Sequence, residues 1–394
     1  MWRWRGGGVI GLLAVAVSWG LFWGGWAALL PGIQEELHLS DRELGLSLFA
    51  VPAAAVPAML LTGPLAHRLG RHTLPLVTGV FGLGVLVVGL AGSRAAFTAA
   101  LLLVGAASGG IEVGLNATLA AWEARDGLRL FNKVHAATPL AMVVAAPAAG
   151  LARHLGASPT AVLTVIAVLV GVSAVLAVDP RGWQEQAPAA EGRAGRAVPG
   201  SRRPAAALLV LGMVGAVALL MENSVEQWGA IHLVQQLDAG PLLASCGPAA
   251  YMTGLSAGRM LTQWRGVRVP DRVLVSVGGA VGGAGLAVGA AAWSVPWALA
   301  GYLVAGAGLA PVVPTLLAVV GRGVPAERRS RAISTVTTVS YAGFLASPPL
   351  VGLLAGAVGL PTALGVVAAG GLLVAAGGPL VGLMPARPAE REAV

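Results

Sequence analysis

Charged side chains are scarce in this chain, at 11% of 394 residues, where a soluble domain carries about 25%. Hydrophobic residues make up 56%. A water-soluble fold needs polar surface and cannot hide such a deficit in its core, so the solvent around most of the chain is lipid. Cysteine is nearly absent: Cys246 stands alone, which excludes an intramolecular disulfide and reads as a small apolar packing residue. No Cys/His cluster has metal-ligand spacing, and no Gly-rich phosphate loop follows a strand pattern. No metal and no cofactor are therefore expected, and no nucleotide to drive the work. Lysine is as rare as cysteine. Lys133 falls in a loop and the six histidines lie mostly at the ends of apolar runs. That leaves neither a Ser/Lys pair nor a metal-ligating His/Asp set, so the chain is not expected to be an enzyme.

What is abundant is glycine, with 57 residues. Glycine is enriched in membrane helices, where it lets backbones approach closely. The net charge of +8 and pI of about 11.0 would suggest nucleic-acid binding on a soluble domain. Here the basic residues sit in short breaks between apolar runs, and no nucleic-acid partner is expected.

A span needs about 20 mostly apolar residues. Splitting the chain at charged and turn-rich breaks predicts twelve spans: 8–31, 44–66, 73–92, 96–122, 135–152, 158–178, 205–233, 240–262, 273–292, 296–321, 332–356 and 361–384. The first run is too long for the apolar core of a signal peptide and reads as a retained helix. Ser40 with Glu43 predicts a capping box at the start of the second span. With the N-terminus in the cytoplasm, 22 of the 25 Lys and Arg residues fall inside, Arg259 among them, and only Arg42, Arg94 and Arg153 outside. That bias matches the positive-inside rule, and adding or losing a span would spoil it. The expected fold is an all-α membrane protein with twelve transmembrane helices in two pseudo-symmetric six-helix bundles. Residues 1–178 form the first bundle, 179–204 a Pro- and Arg-rich cytoplasmic linker, 205–384 the second bundle and 385–394 a cytoplasmic tail. The location is the inner membrane.

The halves resemble each other. After the second span comes Gly63-Pro-Leu-Ala-His67-Arg68-Leu-Gly70-Arg71, and after the eighth Gly258-Arg259-Met-Leu-Thr-Gln263-Trp-Arg265-Gly266. The fifth span holds Pro147 and Gly150, the eleventh Pro349 and Gly352, so the repeat is near 200 residues. A 6+6 bundle with a basic Gly-rich turn after spans two and eight resembles the major facilitator superfamily. Its turn has the form G-x-x-x-D-R-x-G-R-R, matched at Gly63, Arg68, Gly70 and Arg71. His67 stands where the family has Asp, and Gln263 takes that place in the second half. In the family this Asp helps latch the cytoplasmic side, so the acid of that gating turn is missing here. Four further segments resemble bacterial members near the fucose-permease branch. They are Glu112-x-x-x-Asn116 with Glu123, Phe131-x-x-x-His135-Ala136, Glu222-Asn-Ser-Val-Glu226-Gln-Trp228, and Tyr341-x-Gly343-Phe344-Leu345-x-x-Pro348-Pro349. The resemblance implies a central cavity lined by spans one, four, seven and ten, and a monomer. The fourth span has no Arg of the kind found in proton-coupled drug exporters, which lowers the drug-efflux reading.

Acids deep in a span cost roughly 2.5–3.5 kcal/mol each on insertion scales, so those that persist face a cavity or a partner. Gly105, Gly109, Glu112, Asn116 and Glu123 fall within about 60° of one another on a helix, a face that points into the protein. Glu112 is a candidate for proton exchange or substrate binding; a packing contact with Asn116 or a neighbouring helix is the alternative. Glu222 and Glu226 stand one turn apart and repel if both ionise, so one is protonated or paired. They carry protons or bind substrate, or else bond a Ser or Thr on another helix. Asn223 serves either role. Glu123 reads as a local ion pair with Arg125 or Arg129. His135, at a helix start, titrates near neutrality or simply sits at the interface. Trp19 and Trp23 are candidates to stack on substrate. Trp2, Trp4, Trp26, Trp122, Trp264, Trp293 and Trp297 fit an interfacial belt. Ser334, Thr337, Thr338 and Tyr341 share a broad face, either a cavity wall or hydroxyls bonded to their own backbone. Pro311 and Pro314 are expected to bend the tenth span.

These readings converge on a secondary transporter of a small solute by alternating access, with protons as driver and Glu112 and Glu222 as carriers. An efflux antiporter of the same fold is one alternative. A membrane sensor or structural partner that transports nothing is another, and solute flux in vesicles separates them.

Overall fold

The computed structural model describes residues 7–126, 130–178, 202–265 and 269–384. Most of the expected linker and the whole expected tail lie outside these residues. The described chain is helical. The first run of helices is α1 (Gly7–Glu36), α2 (Asp41–Leu48), α3 (Ala50–Leu69), α4 (Thr73–Gly89), α5 (Arg94–Asp126), α6 (Phe131–His154) and α7 (Pro159–Leu176). The second is α8 (Arg202–Leu237), α9 (Pro241–Arg265), α10 (Asp271–Ala290), α11 (Val295–Leu309), α12 (Val312–Gly323), α13 (Ala326–Val358) and α14 (Leu360–Gly377).

Fourteen helices make twelve spans because two spans are broken. α2 and α3 share the second span and part at Phe49. α11 and α12 share the tenth and part at Ala310–Pro311, where proline removes a donor and disturbs the preceding turn. Among the described residues, eleven helical stretches are long and apolar enough to cross a membrane. The predicted eighth span, α9, is not one of the eleven, and it carries Thr253, Ser256 and Arg259 along its length. The local start signal at Ser40 works as read. Its hydroxyl accepts from the Glu43 backbone N–H while Glu43 reaches back to the Ser40 N–H at 3.1 Å. Ser158 caps α7 in the same way, with Pro159 in the first turn.

The described chain divides into two compact units. Unit 1 holds α1–α7 and the first residues of α9, Gly240–Ser245; unit 2 holds α8, α9 from Cys246 onward, and α10–α14. Each unit packs its helices in the same pairs. In unit 1, α1 lies on α6, α4 on α7, and α5 on both α3 and α4. In unit 2, α8 lies on α13, α10 on α14, and α11 on α10. The remaining pair repeats by glycine. Gly105 and Gly109 of α5 meet the backbone of Val51 and Ala55 in α3, and Gly254 and Gly258 of α9 meet Leu303 and Ala307 in α11. No side chain fits at these points, which is the close approach that small residues allow between membrane helices.

Hydroxyls pin the same frames. Ser18 and Ser173 share a 2.8 Å bond between α1 and α7. Ser224 and Ser347 share one of 3.0 Å between α8 and α13. Ser276 donates to the Ala375 carbonyl at 2.8 Å, tying α10 to α14.

Candidate functional site

In unit 1 the polar groups of α5 follow the helical repeat. Ser108, Glu112 and Asn116 stand four residues apart and stack on one face. The Trp19 indole N–H donates to Ser108 at 3.0 Å. Asn116 Nδ2 donates to Glu112 Oε1 at 3.0 Å. With its amide nitrogen turned to the carboxylate, Asn116 presents Oδ1 to His135 Nε2, 2.7 Å away on α6. His135 must therefore carry its hydrogen on Nε2. α6 packs chiefly on α1 and touches α5 little, so this bond bridges two helices that otherwise barely meet. Glu112 and Asn116 are half-buried. The packing contact anticipated for Glu112 is thus present, and it extends to His135.

In unit 2 the acids sit on α8, and what meets them comes from α9. Gly247 lies against the Gly229 backbone. Counting away from that contact in opposite directions brings Tyr251 level with Val225 and Glu226, and Arg259 about two turns beyond Tyr251. Glu222, Glu226, Tyr251 and Arg259 lie close enough to feel one another's charge. Tyr251 is fully buried, and its hydroxyl faces Glu222. Arg259 is exposed, and among the described residues it closes no ion pair with either glutamate. Among the described residues no Ser or Thr bonds either acid; the polar groups nearby are a phenol and a guanidinium.

The sequence reading counted Arg259 among the cytoplasmic basic residues and passed over it as a site residue; it lies within α9. Its signal was available, since position 259 falls inside the predicted eighth span, and an Arg inside a span is a functional candidate by default. Tyr251 offered no signal on its own helix. Its meaning comes from a neighbour some 25 residues away in sequence. His232 was missed as well, and it is structural. Its Nε2 donates to the Ala290 carbonyl at 3.3 Å and its Nδ1 accepts from the Tyr302 hydroxyl at 2.9 Å, all fully buried.

The other candidates scatter. Asn223 is buried and gives its amide N–H to the Phe344 carbonyl at 3.0 Å, joining α8 to α13. Trp19 and Trp23 are half-buried, and Trp23 lies edge-on to Phe22 at 5.0 Å and 75°. Ser334, Thr338 and Tyr341 are exposed on α13, with the Tyr341 ring 6.1 Å from Phe344. The opposite face of that helix carries buried Ser340, which bonds to the Gly212 carbonyl at 3.3 Å. Trp293 and Trp297 are exposed, at 76% and 50%, as a belt requires, but Trp26 and Trp122 are buried at 2% each. Trp26 stacks on Phe22 and Phe97 instead. Trp2 and Trp4 lie outside the described residues, as does Arg129, one proposed partner of Glu123.

In the turn after the second span, Gly63 and Arg68 end α3, and Gly70 opens a 3-10 turn to His72 with φ of +52°. That backbone conformation favours glycine. Arg68 and Arg71 are exposed, and Arg71 Nε donates to His72 at 3.2 Å.

Two glycine-packed helical units of like pairing, with acids deep in the spans, define a polytopic membrane transport protein. Comparison with known proteins gives the family. The chain matches the Major Facilitator Superfamily over residues 10–262 and 212–394, and it belongs to that family. It is 29% identical over 378 residues to an uncharacterised MFS-type transporter of Yersinia pestis, covering 91% of each chain. It is 25% identical over 364 residues to membrane protein MosC of Rhizobium meliloti, covering 90% of this chain and 86% of that one. Its fold superposes on a bacterial homolog of the human lysosomal transporter Spinster, solved inward-facing and unoccupied, with a TM-score of 0.77 at 14% identity over 95% of this chain and 96% of that one.

Proposed function

We propose that this chain is a proton-coupled secondary transporter that moves a small solute by alternating access. It sits in the inner membrane with both termini in the cytoplasm and works as a monomer. One observation supports the reading most: each unit holds acids inside a span with polar partners chosen for them. Glu112 has Asn116 and His135; Glu222 and Glu226 have Tyr251 and Arg259. Charge this deep is costly in lipid and persists where it does something a Leu cannot. Glu112 and Glu222 are the proposed proton carriers. Trp19, Trp23, Ser334, Thr338 and Tyr341 are the proposed solute contacts, and the turn from Gly63 through His67 to Arg71 the proposed gate. The four segments that resemble the fucose-permease branch keep that branch as the proposed subgroup.

The test is transport in reconstituted vesicles, using a solute found by thermal-shift screening of the purified chain. Glu112→Gln or Glu222→Gln is expected to abolish gradient-driven accumulation and leave solute exchange. Full accumulation in both variants contradicts the proposal.

A further inference from the structure

Three hydrogen-bonded rungs in unit 1 outline a groove. α1 and α6 pack closely: Gly20 and Gly24 of α1 lie against the backbone of Thr138 and Met142 in α6, and Thr138 Oγ1 donates to the Ala16 carbonyl at 3.2 Å. α5 stands off from this pair and its backbone scarcely touches either helix. Two long side chains span the gap instead. The Trp19 indole N–H reaches Ser108 at 3.0 Å, and His135 Nε2 reaches Asn116 at 2.7 Å. Glu112 lies midway between Ser108 and Asn116, one turn or about 6 Å of rise from each, so it stands in the gap between the two rungs.

Glu112 is the acid of this groove. Among the described residues its hydrogen bond comes from the neutral Asn116 amide, and it closes no ion pair. A carboxylate inside a span needs a compensating positive charge, and that sets the sign of the ligand. An anion would be repelled, and an uncharged polyol would leave the charge uncompensated. A hard metal ion takes about six oxygen ligands, and among the described residues no cluster of ligating side chains could hold one. An organic ammonium asks for less: a carboxylate and an aromatic face. Trp19 supplies the face. It is half-buried, so part of the ring stays open, and its N–H anchors it to Ser108, one turn from Glu112.

We infer that the groove between α5 and the α1–α6 pair binds a small organic ammonium, its N–H groups on the Glu112 carboxylate and its carbon skeleton on the Trp19 indole. One carboxylate holds either the ammonium or a proton, so the two cations exclude each other on Glu112 and the solute leaves where the proton arrives. This rests on the carrier reading for its purpose, but its test is a binding measurement. The purified full-length chain is screened by thermal shift against ethanolamine, glucosamine and phenethylamine. Each is paired with its N-acetyl form, which keeps the skeleton and loses the charge. Glucose and γ-aminobutyrate serve as uncharged and zwitterionic probes.

At least one amine is expected to bind, and its N-acetyl form at least about tenfold more weakly, the contribution of one charge-assisted hydrogen bond. Glu112→Gln should lower affinity for the amine about tenfold and leave the N-acetyl form unchanged, so solute exchange in that variant persists at saturating amine. Glu112→Asp, which keeps the charge, should recover part of the loss. Trp19→Leu should weaken the amine about fivefold, with Trp19→Phe in between. The unfolding temperature of each variant without ligand, read in the same experiment, separates a folding defect from a binding one. Binding of glucose, γ-aminobutyrate or an N-acetyl form in preference to the amines overturns the inference. So does the absence of binding by all three amines at millimolar concentration, or a Glu112→Gln loss that is equal for amine and N-acetyl form. Amine binding without proton-linked flux would keep the groove and overturn the carrier reading; proton-linked flux of an uncharged solute would do the reverse.

Discussion

Unit 1 and unit 2 share one packing plan and handle their buried acids in opposite ways. Glu112 in unit 1 is tied through Asn116 to His135 by two hydrogen bonds. Glu222 and Glu226 in unit 2 stand near a buried phenol and an exposed guanidinium that closes no ion pair with them among the described residues. Unit 1 thus joins its acid to an amide and an imidazole, and unit 2 sets a pair of acids beside a phenol and a guanidinium.

Several substitutions sharpen or break that contrast, and the largest effects fall on the acids. Glu222→Gln is expected to reduce gradient-driven uptake to the level of an uncoupled vesicle, measured with labelled solute and an imposed pH gradient. Glu112→Gln is expected to do the same, and full accumulation in either variant would remove that acid from the proposed carriers. Next comes the scaffold. Gly105→Leu drives a side chain into the Val51 backbone and should cost more than the 1–3 kcal/mol of ordinary overpacking. Gly63→Leu meets nothing within 4 Å and should leave thermal stability unchanged. Equal loss in both variants would deny that helix approach sets the glycine pattern.

Smaller effects follow. Asn223→Ala strands the Phe344 carbonyl of α13 and should cost about 1–3 kcal/mol in thermal or denaturant unfolding. A loss of solute affinity without that stability loss would move Asn223 from the scaffold to the site. His135→Ala removes the donor to Asn116 and should cost about 1 kcal/mol, with His135→Gln recovering part of it. Least of all, breaking the exposed pairs Glu43–Arg94 in unit 1 or Asp271–Arg322 in unit 2 should leave stability unchanged at physiological salt.

How much of this was legible depends on the range of the physics involved. Span count and helix type follow from lipid, which acts on every residue of a run, so they are readable locally. Caps and breaks are local as well: Ser40 with Glu43 and Pro311 act within one turn, and both stand where the sequence places them. The Ser108–Glu112–Asn116 face comes from helical periodicity alone. Arg259 was passed over as a site residue because the charge bias counts basic residues near span ends, and position 259 lies within a few residues of one. Trp26 and Trp122 were assigned to a belt because position along a span says nothing of rotation about it; both turn inward. Tyr251 and His135 gain their meaning from other helices, and no periodicity within one segment carries that.

The central claim is that Glu112 and Glu222 carry the coupled proton, and solute-triggered proton movement tests it most directly. Proteoliposomes loaded with a pH-sensitive dye receive a bound solute from the thermal-shift screen, with no imposed gradient. The account predicts a dye response in the wild-type chain and none in Glu222→Gln, while solute exchange persists in both. An undiminished dye response in Glu222→Gln would contradict it.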